Sequence, residues 1–212
     1  MTEQGVAPVH VSWGRIETWL TTHAPAGLEY LNPPVTPEEI EAASHALGFQ
    51  LPDELVESLA CHNGFREWTS PFPGQIPLSV DGIARARASL TEIAAEVGGL
   101  EPQPWDDEPW WHPQWIPWAV SADGVYQVID LRPGPRRGRL GWAGLSGGAD
   151  FADAWANLPA LLHAIAEALC RGGSVEGQHP YLTAADQVWW DDADRRELNG
   201  SPLRPAPVWA QD

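Results

Sequence analysis

The chain predicts an α+β fold, with N-terminal helices packed on an antiparallel sheet and a C-terminal helix closing it. Three observations predict it. Four stretches with a helical apolar period precede residue 98. Apolar runs flanking an Asp-Gly turn follow them, and one more amphipathic stretch comes at 151–171. Helices, strands and a last helix in that order do not alternate singly, so a doubly wound parallel sheet is not expected.

Residues 11–22 carry Trp13, Ile16 and Leu20 at i, i+3 and i+7, with Trp19 alongside. Ser12 is the expected N-cap, and Pro25 and Gly27 end the helix. Residues 37–47 show the clearest helix start: Thr36 as N-cap, Pro37 in the first turn and Glu39 completing a capping box. Glu38, Glu39 and Glu41 complement the positive end of the helix dipole. Ile40, Ala43 and Leu47 make the inner face, and Gly48 suits the left-handed closing residue. A third helix is expected from Pro52 to His62, with Leu55, Val56 and Leu59 inward and Asn63-Gly64 as its stop. Residues 65–78 read as irregular chain with a short strand at Ile76–Leu78. A fourth helix, Val80 to Val97, places Ile83, Leu90, Ile93 and Val97 on one face before Gly98-Gly99 ends it.

Residues 101–114 contain four prolines, which excludes regular structure and predicts a loop, acidic and rich in tryptophan. Trp115–Val120 and Val125–Leu131 then flank Ser121-Ala122-Asp123-Gly124, the pattern of a hairpin. Pro117 predicts an edge position or an irregular start for the first strand. Pro133-Gly134-Pro135 turns the chain, and Arg139–Ala143 should add a third antiparallel strand. Residues 151–171 read as helical, with Pro159 kinking or splitting the run and Leu161, Leu162, Ile165 and Leu169 inward. The expected organisation is one domain over residues 1–172. Residues 173–212 form an extension packed on it, with a short helix at 183–190 and a frayed tip.

Composition narrows the function classes. The 212 residues are 43% hydrophobic, enough for a real core. No run of eighteen apolar residues predicts a transmembrane helix. Met1–Gly5 is neither basic nor followed by an apolar stretch, so no signal peptide is read and the cytoplasm is the expected compartment. Cys61 and Cys170 are too few for a disulfide scaffold and are expected as reduced, buried side chains. Twenty-nine acids against twelve arginines, with no lysine, give a net charge of −17. Such a surface repels nucleic acid and anionic membranes and speeds encounter with a basic protein. Solubility alone is the competing explanation.

Two segments stand out as candidate partner-binding sites. Trp105, Asp106, Asp107, Glu108, Trp110 and Trp111 put three acids and three tryptophans on the loop, a combination that presents anchors to a basic partner. The alternative is that Trp110 and Trp111 tuck back over the sheet while the acids face water. Trp189, Trp190, Asp191 and Asp192 repeat the theme, as a second contact or as an ordered cap. Arg132, Arg136, Arg137 and Arg139 form the basic cluster and read as a solvated hairpin turn pairing with nearby acids. No catalytic residue, cofactor site or metal site is expected. His62 has no nucleophile motif beside it, Gly144-Leu145-Ser146-Gly147-Gly148 is not a nucleophile elbow, and Asp106, Asp107 and His112 lack a known ligand spacing.

The ordered pieces resemble the SMI1/KNR4, or SUKH, family. They run from Trp13, Ile16-Glu17 and Trp19-Leu20 through Leu31-Asn32-Pro33-Pro34-Val35-Thr36-Pro37-Glu38-Glu39-Ile40. Leu47-Gly48, Leu51-Pro52-Asp53-Glu54-Leu55, Leu59 and His62-Asn63-Gly64 close the block, with His62 where many relatives have tyrosine. Ile76-Pro77-Leu78, Trp115-Ile116-Pro117-Trp118-Ala119 and Asp123-Gly124 resemble the later strands. The likeness spans 11–171 and has no counterpart beyond 173. It implies an α+β domain that binds proteins without catalysis. Bacterial members resemble immunity proteins that neutralise toxins, often nucleases, and fungal members resemble regulatory scaffolds. The expected partner is therefore a basic protein, an intracellular scaffold role being the other expectation.

Overall fold

A computed structural model describes residues 5–66, 71–144, 147–152 and 154–209. The expected features at Met1 to Gln4, at Leu145-Ser146 and at the tip beyond Trp209 lie outside the described residues.

The first helix, α1, spans Val9–His23, and a 3-10 turn follows at Pro25–Tyr30. Its N-cap is Pro8, and Ser12 is buried inside the helix instead of capping it. The apolar stripe extends one turn back to Val9, so the helix starts earlier than Ser12 suggests. Helix α2, Pro37–Leu47, has the capping box: Glu39 N–H donates to Thr36 Oγ1 (3.2 Å) and Thr36 N–H to Glu39 Oε2 (2.8 Å). Gly48 closes α2 in the left-handed conformation. Helix α3 spans Asp53–Cys61, and the chain then turns at Gly64, where φ is +69°. A β-carbon there would meet the Ser79 nitrogen at 2.3 Å, so both conformation and space demand glycine.

Strand β1 is only Ile76–Pro77, and α4 follows at Val80–Val97. Val80, Ile83, Leu90 and Ala94 face inward. Ile93 and Val97 are exposed, contrary to the expected face, because the inward side of the last turns is set by Ala94 against Trp111. Strands β2 (Trp115–Val120), β3 (Tyr126–Asp130) and β4 (Leu140–Ala143) complete an antiparallel sheet of order β1-β2-β3-β4. Strand β1 pairs only with Ala119 and Val120, so Pro117 sits on the half of β2 where no ladder donor is required. The register shifts between Pro117 and Ala119, which makes the start irregular as well.

Helix α5 spans Leu158–Arg171. Asn157 caps it, and Pro159 lies in the first turn, where its missing N–H has no partner to lose. The described residues 151–152 and 154–157 are therefore not helical, and Pro159 does not kink the run. The expected helix at 183–190 is a hairpin instead, β5 (His179–Leu182) with β6 (Val188–Asp191). Val188 and Trp190 are buried while Trp189 is exposed, a period of two. Thr183 Oγ1 accepts from the Ala185 and Gln187 amides and Asp186 takes a positive φ, which builds the turn. The chain ends in β7 (Glu197–Leu198), β8 (Ser201–Pro202) and β9 (Arg204–Pro205), the last pairing with β5.

The main core joins α1, α3 and α5 to one face of the sheet. Ile116, Ile129 and Leu140 pair in register across β2, β3 and β4 and enter it. Their neighbours Trp115 and Val128 point the other way, into a smaller core with Leu90, Ala94, Trp111 and Ala143. The C-terminal segment is tied to the same body. Leu182, Val188 and Trp190 belong to the main core, Trp19 Nε1 donates to Pro207 O (2.9 Å), and Trp209 N–H donates to Cys170 O (2.8 Å). Both cysteines are free, Cys170 buried and Cys61 half-buried. Among the described residues no helix is long and apolar enough to cross a membrane.

Candidate partner-binding surface

The loop after α4 is pinned at its second half. Gly98 ends the helix in the left-handed conformation, and the Trp110 ring packs so close to Gly99 that a β-carbon there would meet it at 3.0 Å. Trp111 N–H donates to Gly99 O (3.1 Å), and its indole Nε1 donates to Thr91 Oγ1 (2.9 Å). The Trp111 ring meets Trp115 edge to face, centroids 5.9 Å apart. Trp111 is 1% exposed.

A four-charge cluster fastens the loop to the sheet. Arg132 grips Glu108 with both terminal nitrogens, at 2.7 and 3.1 Å, and reaches Asp130 at 2.9 and 2.8 Å. Arg139 bonds Glu108 at 2.9 Å and Asp130 at 3.3 Å. The Asp130 side chain is 3% exposed and that of Glu108 16%. Burial works against both carboxylates, yet the paired guanidiniums outweigh it and hold both below their ordinary range. Arg132 also lies over the Trp115 ring (5.2 Å) and Arg139 over Phe151 (4.0 Å). Phe151 in turn occupies the space a side chain at Gly141 would need.

The tip is what projects. Trp105 is 79% exposed and Asp107 is exposed, while Asp106 is half-buried beside Gly148. In the second segment Trp189 is exposed, and its indole donates to Asp191 Oδ2 (3.0 Å). That bond, with the Asp192 amide and Arg195, holds the Asp191 carboxyl below its ordinary range against burial. Asp192 is exposed, whereas Trp190 is buried and donates to Pro71 O (2.7 Å).

The ten expected contact residues therefore separate. Trp105, Asp107, Trp189 and Asp192 face solvent, with Asp106 and Asp191 partly so. Glu108, Trp111 and Trp190 are turned inward, and Trp110 is half-buried against Gly99. Glu108 is committed to two arginines, and each of the two buried indoles fills core space and bonds inside. Arg132 and Arg139 pair with nearby acids as expected, but half-buried against the sheet, while Arg136 and Arg137 are exposed on the turn. The sequence contained a sign of this: Asp130 ends an apolar strand, with Arg132 two residues on and Arg139 across the ladder.

Among the described residues, Arg15, Arg85, Arg132, Arg139, Arg171, Arg195 and Arg204 are ion-paired. Among the described residues no three or more His, Cys, Asp or Glu side chains cluster to hold a metal ion. His112 next to the quartet is held below its ordinary range by burial and then by Arg132, and its Nδ1 accepts the Gln114 amide. The arrangement offers an acidic surface with two outward tryptophans on anchored supports.

The family model described as the SMI1 / KNR4 family (SUKH-1) matches residues 34–162, more than half of the chain. That span runs from just before α2 into α5 and leaves α1 and the β5–β9 segment outside. No curated protein matches the sequence.

Proposed function

Because the chain belongs to the SMI1/KNR4 family (SUKH-1), we propose that it is a non-catalytic protein-binding module acting in the cytoplasm as an immunity protein against a basic, nuclease-type toxin. The observation that carries the proposal is the charge. The chain has a net charge of −17, and among the described residues Arg15, Arg132, Arg139 and Arg171 are already paired with its own acids. A nuclease needs a basic surface to hold phosphates, and an acidic binder complements that surface. Trp105 and Trp189 add the aromatic anchors that give an interface its strength once steering has brought the partners together.

The test is capture from the source cells with the whole chain as bait, at low and at raised salt. One basic protein, recovered at low salt and thinned at high salt, supports the proposal and identifies the toxin. The other reading is an intracellular scaffold with several partners. It is favoured by the presence of two outward tryptophan–acid segments on different elements, one on the loop and one on the C-terminal hairpin. A scatter of unrelated partners in the same capture supports it.

A further inference from the structure

Three hollows differ in what their walls can recognise. One, about 730 Å³, is apolar between Phe65, Leu78 and Tyr126 but carries Arg66 and Arg85, the wrong sign for a basic partner. The second, about 550 Å³, opens beside the Arg132 quartet, where Glu108 and Asp130 are already engaged by arginine. The third, about 310 Å³, lies between α1, the 3-10 turn and the Pro33-Pro34 segment. Leu28, Leu31, Pro33 and Pro34 give it apolar walls, and Glu17 provides a carboxylate.

Glu17 is held in position. His62 Nε2 contacts Glu17 Oε1 at 2.9 Å, and His62 Nδ1 contacts Asn32 O at 3.0 Å, so the ring is fixed at both nitrogens. Trp13 meets the same ring edge-on, centroids 4.9 Å apart. The His62 side chain is 16% exposed, whereas Glu17 is 41% exposed. Among the described residues no donor reaches the second oxygen, Oε2, of Glu17. The half-buried Cys61 thiol reports a negative surround: burial first, then Glu17 and Glu57, push it up to about 11. Two features of the lining oppose a cation: the exposed Arg66, and the His62 ring, whose two nitrogens both face oxygen acceptors and so both donate.

An open hollow with apolar walls beside a fixed, half-free carboxylate suits a long side chain with a cationic end, because the methylene stem and the charge each find a match. We propose that this hollow receives a lysine or arginine side chain of the basic partner, with Glu17 bonding its charged end and His62 acting as a positioning residue. The inference rests on the basic-partner reading and names where that partner is held.

The test uses small probes on the whole 15N-labelled chain: Nα-acetyl-lysine amide, Nα-acetyl-arginine amide, and Nα-acetyl-norleucine amide as the uncharged match. The cationic probes should give saturable NMR shifts centred on Glu17, Asn32 and His62, and norleucine should not. Glu17→Gln should weaken probe binding by at least about tenfold, the scale of a charge-assisted hydrogen bond. Arg66→Ala should tighten it. The proposal is overturned by no saturable shift, by equal shifts with norleucine, by undiminished binding in Glu17→Gln, or by weaker binding in Arg66→Ala. Capture from cells separates the two failures. A basic partner retained at full strength by Glu17→Gln removes the hollow and leaves the basic-partner reading standing. No basic partner for the wild-type chain removes that reading, while the probes still report on the hollow.

Discussion

Two tryptophans of the same loop, six residues apart, have opposite fates. Trp105 stands almost free and Trp111 is sealed between α4 and the sheet. Trp105→Ala should leave stability within about 0.5 kcal/mol of wild type, since it removes an exposed side chain. It should weaken partner binding, and chemical denaturation beside a binding assay checks both. Trp111→Ala should cost about 3–5 kcal/mol, chiefly through the cavity, with the bond to the Thr91 hydroxyl lost as well. Gly64→Ala should also destabilise strongly, because the added carbon meets backbone at a positive φ. Arg132→Met should cost about 3 kcal/mol by leaving buried Asp130 and half-buried Glu108 with Arg139 as their one remaining arginine. Residue types on the loop were legible in the sequence, but their direction was not. Tryptophan is equally at home in a core and at an interface, and only the Gly99 and Thr91 contacts decide which.

At the scale of elements, legibility followed the strength of local chemistry. The capping box at Thr36 and Glu39 and the Asp123-Gly124 turn fix their elements with neighbours in sequence, so both were readable. The hairpin at 179–191 was not, because Ala184 and Ala185 favour helix locally. What decides instead is the burial of Val188 and Trp190 against distant residues, Trp190 bonding Pro71. Pro159 misled for a related reason: a proline marks a helix start as readily as a break, and Asn157 settles the choice. The C-terminal segment packs on α1 and α5 although the family match ends at 162. Truncation after Gly172 uncovers Trp19 and Leu182's neighbours in the main core. It should lower the urea midpoint of the remaining chain, and an unchanged midpoint would show the segment to be dispensable.

Over the whole molecule, charge shapes both stability and encounter. Glu108 and Asp130 have ordinary values of 4.5 and 3.8 and are held lower in the folded chain. Groups depressed by folding stabilise it above their unfolded values, and that contribution is lost as pH falls through the folded ones. Stability should therefore decline below about pH 4.5, and Glu108→Gln should flatten part of that decline in urea titrations between about pH 2.5 and 7. The fold class and the acidic balance were plain from composition and order. The inward use of arginine was not, since ion pairs such as Arg15–Glu167 join residues far apart in the chain. The central claim is that the acidic surface draws in a basic partner. Its most direct test is the association rate constant for that partner, measured from about 0.02 to about 0.5 M salt, a range that shortens the screening length several-fold. A rate falling about tenfold or more across it is the predicted result. A rate indifferent to salt would contradict the account.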